Sequence, residues 1–211
     1  MKTALIFDLD NTIYPVNAIA DNLFGELFAV LDRHADMINV NFRDTVAQIK
    51  EEMTRRPFQY IAEKYALNTA IREAMEGTLR NMSYELPMRP FEDYHNLKSI
   101  PLEKYLVTTG YPKLQYSKIR QLGIEGDFKE IIIVDPDKST QTKKDVFAAI
   151  MDKYGYQPEH LLVIGDDPAS EIKAALALGI DTFLFDPNNI YTNEPTTYRS
   201  DKLTGVLQVL R

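Results

Sequence analysis

The stretch that decides how this chain is read is Thr3–Asp8, TALIFD, running on into Leu9-Asp10-Asn11-Thr12. A continuous apolar run closed by an acid lacks the in–out alternation of a strand with one wet face. It suits a strand buried on both faces, as in a parallel sheet. Similar runs recur at Tyr105–Thr108 (YLVT), Ile131–Val134 (IIIV), Leu161–Ile164 (LLVI) and Thr182–Phe185 (TFLF). Helical patterns separate these later runs, at 112–122 with Gly123 as the stop, at 143–154, and at 168–178. In the last, Asp167 suits the cap, Pro168 the first helical position and Gly179 the exit. Strands alternating with helices predict an α/β domain with a mostly parallel sheet.

Between the first two strands the rhythm changes. From Asn17 to Leu86 no strand-like run appears, and four amphipathic patterns take its place. Their apolar stripes are Ile19, Leu23, Leu27, Val30 and Leu31; Phe42, Val46, Ile49 and Met53; Phe58, Ile61, Ala62 and Tyr65; and Ile71, Met75, Leu79 and Met82. Helical spacing of this kind is the signature of core packing. The expected organisation is a Rossmann-like parallel-sheet core over 1–15 and 87–211, with an inserted all-α subdomain over 16–86. The polar stretch 187–200 reads as an exposed loop, and Leu203, Val206, Leu207 and Leu210 as a short closing helix.

Composition narrows the chemistry. Among 211 residues, 31 Asp+Glu exceed 24 Lys+Arg, and the net charge of −7 argues against a nucleic-acid polymer as partner. No apolar run approaches the ~20 residues of a membrane helix. Residues 1–7 are too short for a signal peptide, so the expected location is cytoplasmic. With no Cys and only His34, His95 and His160, thiolate catalysis and Cys- or His-based metal clusters lose their support. Carboxylates, hydroxyls, lysines and a hard cation remain.

Ligands of a parallel sheet bind beyond the carboxyl ends of its strands. Asp8, Asp10 and Thr12 follow the first run; Thr108, Thr109 and Gly110 the second; Asp135, Asp137, Lys138, Lys143 and Lys144 the third; Asp166, Asp167 and Glu171 the fourth. Converging carboxylates either hold a proton or bind a cation, and oxygen ligands of this kind suit Mg2+. A carboxylate beside such a cation can attack the phosphorus of an approaching phosphate. A second acid can then protonate the leaving group, while hydroxyls, N–H groups and an ammonium hold the phosphoryl oxygens.

These residues resemble the haloacid dehalogenase superfamily of phosphohydrolases, whose four motifs appear in order. DLDNT (8–12) matches the first motif and VTTG (107–110) the second. A lysine ahead of the helix containing Phe147 matches the third, and GDDPASE (165–171) the fourth. The resemblance covers the whole chain and makes 16–86 the family's helical cap. It implies Asp8 as nucleophile and Asp10 as general acid/base. It also implies Mg2+ held by Asp8, the Asp10 carbonyl and Asp166, with Glu171 acting through water and Asp167 competing for that role. Thr108 would bind the phosphoryl group, with Thr109, Gly110 and Lys144 beside the substrate. For the third motif Lys143 ranks above Lys144, and Lys138 comes third.

An acid at position 10 favours phosphoryl transfer over dehalogenation, because a halide leaves without a proton. DNTIYP (10–15) resembles the pyrimidine 5'-nucleotidase-like branch, although Tyr14 and Pro15 can equally just shape the exit from the strand. The expected activity is a Mg2+-dependent phosphatase of a small phosphorylated metabolite, a nucleoside monophosphate or a sugar phosphate, in a monomer or homodimer. Its rivals are a sugar-phosphate mutase and a non-catalytic phospho-ligand-binding regulator on the same fold. Asp167 as a mere helix cap is an equal alternative to Asp167 as a ligand.

Overall fold

A computed structural model describes residues 1–34, 42–138 and 140–210, with the backbone alone at 42–44. By internal contacts the chain forms two units. One is Met1–Pro15, Arg89–Thr109 and Leu122–Arg211; the other is Val16–Met88 and Gly110–Gln121.

The first unit is built on six parallel strands: β1 (Ala4–Phe7), β2 (Glu103–Thr109), β3 (Glu130–Val134), β4 (Leu161–Gly165), β5 (Asp181–Phe185) and β6 (Tyr198–Ser200), in the order β3-β2-β1-β4-β5-β6. The central strand β1 is sealed on both faces, as its unbroken apolar run predicts. Ala4 and Ile6 pack into a cluster with Tyr105, Val107, Val163, Phe147 and Ile150. On the other face Phe7 meets Tyr94 and Phe128 edge-on, with ring centroids 6.3 and 6.0 Å away. Each such fully buried large side chain contributes about 1.5–3 kcal/mol. Strand order reverses between β1 and β4, so a crevice opens at their carboxyl ends.

Two helices of this unit matter for the site. α7 (Lys143–Tyr154) starts on a capping box. The Thr142 side chain accepts from the Asp145 N–H, and the Asp145 carboxylate accepts from the Thr142 N–H at 2.8 Å. The box fixes Lys143 at the first helical position. After β4 the expected helix over 168–178 is interrupted. Pro168–Ile172 form a wide π-helical turn broken at Ser170 (φ −107°, ψ −105°), and only α8 (Lys173–Leu176) is α-helical. The break lets Glu171 turn inward, a demand that apolar periodicity does not register.

The polar tail also departs from expectation, because β6 lies within the stretch read as an exposed loop. It pairs with β5 through Phe183–Phe185, and Thr182 and Thr197 exchange side chain–backbone hydrogen bonds of 2.9 and 3.1 Å beside it. Buried Asp186 accepts from the N–H groups of Ile190 and Tyr191 at 2.9 and 2.8 Å. A three-residue edge strand held by backbone and hydroxyl bonds leaves no apolar pattern. The chain closes on α9 (Val206–Val209).

The second unit contains α1 (Ala20–Arg33), α2 (Phe42–Met53), α3 (Phe58–Lys64), α4 (Thr69–Asn81) and most of α6 (Pro112–Leu122), while α5 (Tyr94–Lys98) belongs to the first unit. The buried faces are Leu23, Leu27 and Leu31 on α1, Ile61 on α3, and Ile71, Met75 and Leu79 on α4, each on its predicted stripe. In α2, Val46, Ile49 and Met53 are buried, whereas the predicted Phe42 side chain lies outside the described residues. Asn68 caps α4 by accepting from the Ile71 N–H at 3.0 Å. The Arg72 guanidinium ties down the end of α3 through the Ala62 and Leu67 carbonyls, each at 2.7 Å. Among the described residues no helix is long and apolar enough to cross a membrane.

Candidate active site

The carboxyl ends of β1 and β4 bring together Asp8, Asp166 and Glu171, each offering one carboxylate oxygen, all within 4.8 Å of one another. Asp8 is placed by sheet register. Phe7 lies beside Ile164, and the Asp8 N–H donates to the Ile164 carbonyl at 3.0 Å. Asp166 follows β4 directly, and the Thr12 hydroxyl donates to its Oδ1 at 3.2 Å. Glu171 is swung back by the π-helical turn. Its Oε1 accepts from the Asp167 N–H at 2.8 Å. Its carboxylate lies so close over Gly165 that an added Cβ there would overlap it, which is why β4 ends in glycine.

Lys143 ties the cluster together. Its ammonium donates to Asp8 Oδ1 at 2.5 Å and to Glu171 Oε2 at 2.7 Å, and all three residues are buried. Burial pushes the Asp8 carboxyl from its ordinary value of 3.8 up to about 7; Lys143 pulls against this rise and Glu171 adds to it. Burial likewise raises Asp166 well above the usual range, with the charges of Glu171 and Asp8 adding to the effect. Burial disfavours the Lys143 ammonium, but Asp8 and Glu171 outweigh it and hold its pKa above that of a free lysine. A cationic lysine thus offsets part of the charge of a buried carboxylate group.

The other sequence candidates occupy defined places. Asp10 lies just beyond β1 in a tight turn and accepts a hydrogen bond from the Tyr14 hydroxyl. Thr108 is buried and Thr109 half-buried at the tip of β2, and Gly110 follows at φ 152°, where a Cβ would come within 3.1 Å of Gln115. Lys144 is exposed, and exposed Lys138 pairs with Asp135 at 3.6 Å. The Asp167 carboxylate accepts from the Ala169 N–H at 2.9 Å, as a cap does. Three contributors lack an assigned role in the sequence reading: Thr12 on Asp166, Tyr14 on Asp10, and Gly165 beneath Glu171. The first two carry hydroxyls within or next to DLDNT, and the third stands in GDD, so each was visible as a residue type but not as a contact.

Comparison with known proteins follows the same lines. Residues 2–179 match the family model of haloacid dehalogenase-like hydrolases. The HAD-hydrolase YfnB of Bacillus subtilis is 26% identical, with 98% of this chain and 94% of that protein aligned. Its crystal structure bound to magnesium superposes with a TM-score of 0.67 at 24% identity, covering 100% of this chain and 99% of that one. A ribulose-1,5-bisphosphate 5-phosphatase of Halopiger xanaduensis is 23% identical over 89% of this chain and 86% of that protein. A glyceraldehyde 3-phosphate phosphatase of Pyrococcus furiosus is 22% identical over 86% of this chain and 79% of that one. With the family model spanning the strands and turns that carry Asp8, Asp10, Asp166, Asp167 and Glu171, the chain belongs to the haloacid dehalogenase-like hydrolases.

Proposed function

We propose that this chain is a Mg2+-dependent phosphatase that hydrolyses a small phosphorylated metabolite through an aspartyl-phosphate on Asp8. One observation carries the reading: buried Asp8 and Glu171 and half-buried Asp166 present oxygens within 4.8 Å of one another. The donor set fits the ion, since it is made of hard carboxylate oxygens with no nitrogen or sulfur among them. When bound, Mg2+ supplies the positive charge that lets a phosphate dianion approach Asp8.

The residues divide the work. Asp8 attacks phosphorus with an ionised oxygen, the bond to the leaving oxygen breaks, and Asp10 gives that oxygen its proton. Asp10, now a carboxylate, takes a proton from water as the water oxygen attacks phosphorus. The bond to Asp8 then breaks and inorganic phosphate leaves. Lys143, held charged by its two carboxylates, orients Asp8, and the Thr108 hydroxyl and the tip of β2 hold the phosphoryl oxygens. Substrate choice is assigned to the helical segment 16–86. Relatives named for ribulose-1,5-bisphosphate and glyceraldehyde 3-phosphate support ranking sugar phosphates ahead of nucleoside monophosphates in this proposal.

The test is release of phosphate from p-nitrophenyl phosphate and from a panel of sugar phosphates and nucleoside monophosphates, with and without Mg2+. Turnover requiring the cation, abolished in Asp8→Asn, is expected. Failure of the wild type across the panel overturns the proposal, as does an isomeric sugar phosphate as product in place of free phosphate.

A further inference from the structure

We propose that the Tyr14 hydroxyl is a positioning residue for Asp10: it holds Oδ1 of the Asp10 carboxyl, so that the proton delivered to the leaving group resides on Oδ2. The inference rests on the phosphatase reading above and deepens it.

Tyr14 is only 1% exposed, and a buried phenol needs a partner for its O–H. Here the hydroxyl donates to Asp10 Oδ1. The two residues are four apart without lying in a helix, so their meeting is the work of the backbone. Asn11 adopts the left-handed region at φ 56°, and the Ile13 N–H returns to the Leu9 carbonyl at 2.9 Å. The Ile13 carbonyl in turn accepts from the Phe91 N–H at 2.8 Å, and Asp10 and Tyr14 form an isolated β-bridge. The turn thus carries the ring under Asp10 and anchors it to the segment that leads into α5.

A carboxylic acid has one protonated oxygen and one that only accepts. Tyrosine donating to Oδ1 makes Oδ1 the accepting oxygen and leaves the proton on Oδ2. In the transfer, the Oδ2–H bond breaks as the bond from phosphorus to the leaving oxygen breaks, and the electron pair of that bond stays on the leaving oxygen and takes the proton. Asp10 is left a carboxylate and Tyr14 keeps its own proton throughout. The hydroxyl selects between the two ends of a carboxyl torsion that is intrinsically broad and two-fold.

Leaving-group dependence tests this. An alkoxide is strongly basic and needs the proton, whereas p-nitrophenolate leaves without it. In Tyr14→Phe, kcat should fall about tenfold or more on an alkyl phosphate that the wild type turns over, part of the ~10²–10⁴ that general acid catalysis supplies. On p-nitrophenyl phosphate the fall should stay below about threefold, with KM unchanged on both esters. In an Asp10→Asn background the same change should alter kcat by less than about twofold, because Tyr14 acts only through the Asp10 carboxyl. Circular dichroism follows folding, and Tyr14→Met, which also lacks the hydroxyl, repeats the comparison on an independent side chain. Equal falls on the two esters, or no fall on either, overturn the inference while the phosphatase reading stands. A wild type inactive on every ester overturns both.

Discussion

Lys143 and Asp8, 135 residues apart in the chain, meet at 2.5 Å in a buried ion pair at the carboxyl end of the central strand. The pair joins the first helical position of α7 to the tip of β1, and Glu171 completes it from the other side at 2.7 Å. The contact sets a buried ammonium between the Asp8 and Glu171 carboxylates. It also makes Lys143 the residue at which stability and turnover can be tested together.

Replacing Lys143 by Met leaves two buried carboxylates without their cation. Breaking one partner out of a buried pair costs about 3–5 kcal/mol. Urea denaturation at about pH 8 should show a loss of that order, and a smaller one near pH 5, where the Asp8 carboxyl takes up a proton. Turnover of p-nitrophenyl phosphate should fall by about 100-fold, the order seen when one electrostatic donor is removed. A variant with wild-type stability and rate would mean the contact is incidental.

The raised carboxyls make metal-free stability fall with rising pH. Asp8 titrates near 7 in the fold against 3.8 ordinarily, and Asp166 is raised as well. The folded chain therefore holds protons that the unfolded chain has already released across the window from about pH 4 to 7, so this contribution is present at low pH and lost as pH climbs through the window. Lys143 is raised too, so its contribution persists through that window and disappears only above the ordinary lysine range. Thermal melting without metal should show Tm decreasing between about pH 5 and 8, and Mg2+ should raise Tm more at the higher pH. An Mg2+ shift larger at pH 5 would contradict the assignment of these acids to the ion.

Asp167 and Glu171 should separate cleanly. Asn at 167 can still accept from the Ala169 N–H, so Asp167→Asn should keep the wild-type Mg2+ requirement and change stability by less than about 1 kcal/mol. Glu171→Gln removes a charge shared with Lys143 and should raise the Mg2+ concentration for half-maximal activity about 10–100-fold. Mg2+ titration of activity in the two variants reads the difference directly, and the reverse pattern would make Asp167 the ligand.

Much of this protein is legible along the chain. The runs at Ala4–Phe7, Ile131–Val134 and Leu161–Ile164 stand out because a strand covered on both faces must be apolar throughout, and the stripes of α1, α3 and α4 because a one-sided helix must repeat every three to four residues. Acids placed at strand ends follow from the same runs. The three residues of β6 and the break at Ser170 were not legible, since hydroxyl bonds and an inward-turned Glu171 leave no periodic trace.

What the sequence determined alone is therefore a parallel sheet with acids at its carboxyl edge and amphipathic helices after its first strand. Which of Lys138, Lys143 and Lys144 reaches Asp8, whether Asp167 or Glu171 faces the carboxylates, and where the Tyr14 hydroxyl goes were decided only by tertiary structure. The physical reason is direction. Adjacent residues in a turn or at a helix start project differently, and only the folded backbone, through the Thr142–Asp145 capping box, the π-helical turn and the Leu9–Ile13 loop, selects the one that points into the site.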